Sequence, residues 1–239
     1  MAAARILAII PAYNEEATIA GTLAQLRVSL PDLDLLVIND GSRDGTSAAA
    51  RAEGVAGVVD LPANLGIGGA VQTGFKYASR QGYDVAVQVD ADGQHLGGEI
   101  AKLLGPVLAG EADVAIGSRF LAPGGYRSTA LRRVGIGIFR LVNSLVVGQR
   151  ITDNTSGFRA YNRRALAFLA EHYPTDFPEP EAVVLLDRNN FRLVEVPVAM
   201  RGRQGGSSSI GVMRAAYYMV KVLLAVVVNA FRAPVESRG

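Results

Sequence analysis

The sequence predicts an α/β protein: a doubly wound, mostly parallel sheet flanked by helices. Three observations predict it. Short apolar runs alternate with segments of helical period, the order expected of strand–helix–strand units. The runs are rich in Val, Ile and Leu, which suits strands buried on both faces. Polar clusters stand directly after the runs, where open α/β sheets bind ligands beyond the carboxyl ends of their strands.

RILAII (5–10) is the first strand, and Pro11 is placed to stop it. EEATIAGTLAQLRVSL (15–30) follows as a helix, with Asn14 as its expected cap. LLVIN (35–39) is the second strand, and DGTSAAARAEG (44–54) the next helix, capped by Ser42 or Asp44. NLGIGGAVQTG (64–74) is a Gly-rich turn opening a helix that runs on through KYASRQG (76–82). Its glycines suit either a phosphate loop or close helix packing. DVAVQV (84–89) and DVAIGS (113–118) are further strands.

In the second half, RRVGIGIFRLVNSLVVG (132–148) is apolar with Arg at its borders. DNTSGFRAYNRRAL (153–166) is a loop leading into a helix. FPEPEAVVLLDRN (177–189) is a helix with Pro180 in its first turn. FRLVEVPVAM (191–200) is a strand, and RGRQGGSSS (201–209) a flexible basic loop. A catalytic domain over residues 1–210 is expected, followed by an amphipathic helical tail over 211–239.

Apolar residues make up 49% of the 239 and charged residues 19%, which excludes a disordered chain. The 24 basic and 22 acidic side chains leave a net charge of +2, which gives no case for a nucleic-acid partner. The chain has no cysteine, so it has no thiolate nucleophile and no disulfide. MAAARILAII reads as a strand rather than a signal peptide. No uninterrupted apolar stretch reaches the roughly 18 residues of a spanning helix.

The chemistry concentrates in VDADGQH (89–95). Asp90, Asp92 and Gln94 offer oxygen ligands on alternate positions off a strand end. That set suits Mg²⁺ or Mn²⁺ holding a diphosphate. A solvated Asp/Gly turn is the other reading. His95 is read as a structural hydrogen-bonder. In PAYNEE (11–16), Tyr13 and Glu15 are candidates to stack on and bond a nucleobase or ribose. In NDGSRDGT (39–46), Asp40 is a second such acceptor or a turn residue. Arg119 at a strand end, and Arg201 and Arg203 on the basic loop, suit a phosphate clamp and lid.

Taken in order, IPAYNEE, VINDGSRDGT, NLGIGGAVQTGFKYA, VDADGQH, GSRF, DNTSGFRAY and R-x-x-G-x-S resemble glycosyltransferase family 2 across roughly residues 5 to 210. The resemblance is to the polyprenyl-phosphate sugar synthases typified by dolichyl-phosphate mannose synthase. It implies a GT-A fold, a nucleotide-sugar donor and a divalent metal, Mg²⁺ or Mn²⁺. By position it places Pro11, Tyr13, Glu15, Ile38 and Asp40 at the nucleoside. Asp90, Ala91 and Asp92 fall at the diphosphate, with Asp90, Asp92 and Gln94 around the metal. Arg119 meets a phosphate and Arg203 becomes the lid arginine. Three departures stand out: Ser209 and Ile67 occupy positions where lysines are expected, and FPEPEA is atypical. They leave the sugar and base open, with GDP-mannose and UDP-sugars both candidates.

The expected reaction is inverting transfer of a hexose to polyprenyl phosphate. The acceptor phosphate, with a second pKa of about 6, needs no strong base. Asp92, Arg119, Asp153 and Arg203 are the catalytic candidates, with Asp153 as base if the acceptor were instead a hydroxyl. A non-catalytic nucleotide-sugar-binding subunit is the third reading. A lipid acceptor calls for membrane access. The segments 132–148 and 211–231 are the candidates for an interfacial surface, the tail carrying Lys221 and Asn229 among its apolar residues. They predict a peripheral protein on the cytoplasmic face of the membrane, aided by interfacial helices or a small membrane-protein partner.

Overall fold

The structure, a computed structural model, describes residues 4–121 and 151–201. The segment 132–148, Arg203, Ser209 and the tail lie outside the described residues.

The described elements run β1 (Ile6–Ala12), α1 (Ile19–Ser29), β2 (Asp34–Asn39), α2 (Thr46–Ala52), β3 (Gly57–Asp60), α3 (Gly66–Arg80) and β4 (Val85–Gln88). They continue with α4 (Ile100–Leu108), β5 (Val114–Ser118), β6 (Arg159–Asn162), α5 (Arg163–His172), α6 (Pro178–Arg188) and β7 (Leu193–Pro197). The strands form one seven-stranded sheet in the order β3-β2-β1-β4-β6-β5-β7. All neighbours are parallel except β6, which runs antiparallel to both β4 and β5.

Side chains alternate across the sheet and build two cores. Leu7, Ile9, Leu36, Ile38, Ala86, Ile116 and Tyr161 face α3, α5 and α6. Ala8, Ile10, Leu35, Val37, Val85, Val87 and Ala160 face α1 and α4. Both sets are almost wholly buried, and each large aliphatic among them stabilises the fold by about 1.5–3 kcal/mol. Two glycines of α3 set how closely it approaches its neighbours. A Cβ on Gly74 would run into the Ile9 side chain, and one on Gly68 would meet the backbone of Pro174 and Thr175. Packing therefore accounts for Gly68 and Gly74, whereas Gly66 stands in open space with a φ of +77° at the start of α3.

Several expectations are corrected here. Pro11 does not stop β1: it lies inside the strand, opposite Ile38. Pairing with β4 ends at Ile9, so no ladder bond is asked of the missing proline N–H. Asn14 does not cap α1. It has a φ of +54° and bridges two loops, its N–H donating to Ser42 Oγ and its Oδ1 accepting from Arg43 N–H, both at 3.0 Å. RAYN, expected as loop, is the strand β6, and GVVD forms β3. Among the described residues no helix is long and apolar enough to cross a membrane.

Candidate active site

The carboxyl ends of β1, β2, β4 and β5 open on one edge of the sheet, and the loop feeding antiparallel β6 returns to it. Backbone geometry fixes the first wall. Asp40 N–H donates to Ala12 carbonyl (2.9 Å), continuing the β1–β2 ladder. Glu15 N–H donates to Thr46 Oγ1 (2.8 Å), and Asp44 Oδ1 accepts Thr46 N–H (3.1 Å) at the start of α2. These bonds hold PAYNEE against NDGSRDGT. Tyr13 stays exposed, and Glu15 is half-buried with its carboxylate accepting the Thr18 hydroxyl at 2.6 Å. Asp40 is buried, and one of its oxygens takes Leu65 N–H at 2.7 Å. Pro11, Ile38 and Ala91 are buried as well. Ile38 and Ala91 pack within the two cores.

VDADGQH turns directly off β4. Asp90 is about a third exposed (35%), whereas Asp92 is buried. Asp92 Oδ1 accepts Gln94 N–H at 3.1 Å, and the Gln94 amide donates to its other oxygen. His95 is buried; its Nδ1 accepts Asp90 N–H at 3.0 Å and its ring stacks on Phe158 at 4.4 Å. The imidazole thus shapes the turn from behind, as the sequence suggested. Thr22 of α1 donates its hydroxyl to Ala91 carbonyl (3.0 Å), fixing the middle of D-x-D. The chain after β7 runs beside this turn: His95 and Met200 pair antiparallel, and Arg201 N–H donates to Gln94 carbonyl at 3.0 Å. Arg201 is thereby delivered to the turn.

Among the described residues no three acidic or imidazole side chains converge as a closed metal cage. The donor chemistry still fits a hard cation. Asp90 and Asp92 offer carboxylate oxygens, the side-chain Oε1 of Gln94 remains when its Nε2 donates to Asp92, and the His95 nitrogen nearest the turn is occupied. Mg²⁺ and Mn²⁺ sites need only one or two protein carboxylates when phosphate oxygens complete the shell.

The opposite wall is the loop 151–158. Arg119, at the end of β5, is bound side-on by buried Asp153, with Nε and Nη2 donating at 2.8 and 2.7 Å. Nη2 also reaches Thr155 Oγ1 at 2.9 Å. Glu195 of β7 accepts Thr152 N–H (2.7 Å) and Asp153 N–H (2.6 Å). Arg159, wholly buried on β6, donates to the carbonyls of Ser156 and Asn154, both at 2.7 Å. Asp153 is therefore enclosed and bonded at both oxygens to Arg119. Sequence reasoning missed Glu195 and Arg159. The signals available were an acid inside the apolar run VEVP and an arginine in alternation with Phe158 and Ala160.

The geometry has counterparts. The glycosyl transferase family 2 pattern matches residues 7–169. Polyprenol monophosphomannose synthase of Mycolicibacterium smegmatis is 34% identical over 218 residues, covering 86% of this chain and 81% of that protein. Undecaprenyl-phosphate mannosyltransferase of Micrococcus luteus is 34% identical over 215 residues, covering 86% and 87%. UDP-N-acetylglucosamine–dolichyl-phosphate N-acetylglucosaminyltransferase of Methanococcus voltae is 31% identical over 217 residues, covering 83% and 86%. Among solved structures, glucosyl-3-phosphoglycerate synthase from Mycobacterium tuberculosis, in complex with Mn²⁺, uridine diphosphate and glucosyl-3-phosphoglycerate, superposes with a TM-score of 0.72. It is 21% identical and covers 98% of this chain and 82% of its own, a likeness of fold. The sheet, with its polar edge and a single antiparallel strand, is the GT-A fold, and this chain belongs to glycosyltransferase family 2.

Proposed function

We propose that this glycosyltransferase moves a hexose from a nucleotide sugar to polyprenyl phosphate, with inversion at the anomeric carbon and a divalent cation bound. The observation that carries the reading is the commitment of Asp153 to Arg119. A hydroxyl acceptor needs a base at the site, and the residue best placed by sequence to be one is buried and paired. A lipid phosphate is already an oxyanion near neutral pH, its second pKa being about 6. The relatives named for polyprenol, undecaprenyl-phosphate and dolichyl-phosphate, at 31–34% identity over most of both chains, support the same acceptor class.

In this reading Tyr13, Glu15 and Asp40 receive the nucleoside beside β1 and β2. Asp90, Asp92 and Gln94 hold the cation, which when bound neutralises the leaving diphosphate. Arg119, oriented by Asp153, meets phosphate, and Arg203 closes over the site as a lid arginine. An oxygen of the lipid phosphate attacks the anomeric carbon as the bond to the nucleoside diphosphate breaks. Catalysis then rests on position and charge. In the same reading the enzyme works as a peripheral protein at the cytoplasmic face of the membrane, alone or with a small membrane-protein partner; the Arg-bordered apolar sequences 132–148 and 211–231 support it.

The test is to incubate purified protein with Mn²⁺ or Mg²⁺, a short polyprenyl phosphate, and a panel of GDP- and UDP-sugars, and to read glycolipid by mass spectrometry. A cation-dependent glycolipid is expected, and it identifies the sugar. Transfer to a hydroxyl compound but never to the lipid phosphate would overturn the acceptor.

A further inference from the structure

The segment FPEPEA places two acids, Glu179 and Glu181, on the first turn of α6, and they do different things. Glu181 closes the helix on itself: its carboxylate accepts Phe177 N–H at 3.0 Å while its own N–H donates to Phe177 carbonyl at 3.1 Å. Glu179 is half-buried, and its carboxyl accepts only from its own backbone N–H among the described residues. It stands within electrostatic reach of two residues of the site, Arg159, which favours its charge, and Asp90, which opposes it. Burial dominates and pushes its carboxyl above the ordinary range.

The surroundings of Glu179 are polar but incompletely bonded. Gln88 and Arg159 are opposite each other on β4 and β6, on the face that α6 covers. Both are wholly buried, yet both polar atoms of the Gln88 amide and Nη1 of Arg159 lack a hydrogen-bond partner. The hydroxyls of Tyr161 and Tyr173, whose rings both pack edge-on against Phe75, are in the same condition. A Cβ on Gly157 would lie 2.9 Å from Gln88 Nε2 and 3.5 Å from Asp90 Oδ1, so this polar patch adjoins Asp90 directly. Buried polar atoms left unpaired are costly, and such a group in a folded protein calls for a ligand or ordered water. Here four side chains from β4, β6 and the α5–α6 connection share that condition beside the residue that would hold the donor diphosphate.

We propose that Glu179 reads the transferred sugar, its carboxyl accepting hydroxyls of the hexose ring while Arg159 and Gln88 position it from behind. The inference rests on the glycosyl-transfer reading above. Its chemistry is simple. The anomeric carbon is bonded to the diphosphate, so the sugar ring lies within one ring-length of Asp90. Hexose hydroxyls are donors in need of acceptors, and a carboxylate accepts through both oxygens. Glu179 is a half-buried acceptor within electrostatic reach of both Arg159 and Asp90.

The test is binding, which needs no acceptor. Affinities of GDP and GDP-mannose, and of UDP, UDP-glucose and UDP-N-acetylglucosamine, are measured by calorimetry with Mn²⁺ for wild type, Glu179→Ala, Glu179→Gln and Glu181→Ala. For the preferred donor, Glu179→Ala should lose about tenfold or more in nucleotide-sugar affinity while nucleotide affinity stays within about twofold, because only a site built to bond hydroxyls discriminates that way. Glu179→Gln, which keeps an acceptor oxygen, should recover part of the loss. Glu181→Ala should lower Tm without changing the ratio of the two affinities. An unchanged ratio in Glu179→Ala, or an equal fall in both affinities, would overturn the inference. Wild type that binds no nucleotide sugar would overturn the functional reading itself.

Discussion

Arg119 and Asp153 form a two-point ion pair, with Nε and Nη2 of the guanidinium on opposite oxygens of a carboxylate that is 1% exposed. Arg119 N–H adds a third bond at 3.0 Å. The pair joins the end of β5 to the loop before β6, and Glu195 ties that loop to β7. A planar fork held at two points fixes the orientation of the whole guanidinium, which a lysine could not do.

Asp153→Asn should therefore act on stability and on arginine placement together. Removing one partner of a buried pair costs about 3 kcal/mol or more, seen as a lower midpoint in urea unfolding. The residual transferase activity should keep the wild-type pH profile. If the acidic limb of that profile disappeared while the midpoint stayed put, Asp153 would be a proton acceptor after all.

Asp92→Asn should remove turnover without unfolding the protein. Asp92 is buried, two of its bonds come from Gln94 in the same turn, and asparagine can accept the same N–H. Loss of a charge at a cation is worth several kcal/mol in the transition state, so a fall of about a thousandfold or more is expected. The companion measurement is Mn²⁺ affinity in the presence of nucleoside diphosphate. Wild-type turnover in Asp92→Asn, or affinity that did not move, would remove the D-x-D turn from the cation site.

His95 makes a different prediction, because it shapes the turn without belonging to the oxygen set. Its Nδ1 holds Asp90 N–H, and its ring lies 13° from parallel with Phe158. His95→Ala should loosen Asp90, leave a cavity against Phe158 costing about 2–3 kcal/mol, and weaken Mn²⁺ binding. His95→Asn keeps an acceptor in reach and should restore cation affinity better than stability. Equal recovery of both would mean that ring packing alone matters.

The parts of this fold legible in sequence were those whose side chains had one job. β1, β2, β4 and β5 are runs of aliphatic residues buried on both faces, and such runs announce themselves. β6 did not, because one of its faces carries Arg159 and Tyr161 into a polar region under the site. A buried arginine reads as loop until the carbonyls of Asn154 and Ser156 that receive it are seen. β3 is a four-residue strand at the sheet edge, too short for a periodic signal. At the site, Asp90, Asp92 and Arg119 were legible because they follow strand ends. The partner of Arg119 was legible as a residue but not as a partner, since 34 positions of chain separate the two. Asn14 shows the limit of local rules. Its type suits a helix cap, but the contact it makes is with Ser42 and Arg43, in another loop.

Asp60, at the end of β3, gives a pH test of the sheet edge next to the nucleoside wall. Its carboxyl is held down to about 2, first by the Arg51 guanidinium, then by the Ser47 hydroxyl and the Asn39 amide. A depressed carboxylate binds fewer protons when folded than when unfolded, so it stabilises the fold at pH above its unfolded value, about 3.9. That contribution falls as pH drops through the folded value near 2. Both Arg51 and Asp60 are largely solvent-exposed, so the effect is on the order of 1 kcal/mol or less. The difference in Tm between wild type and Asp60→Asn should accordingly be small and level from neutral pH to about pH 5, then shrink between about 4 and 2. A difference that grew on acidification would have the opposite sign, and would mean that Asn39 and Arg51 do not hold the carboxylate in its charged form.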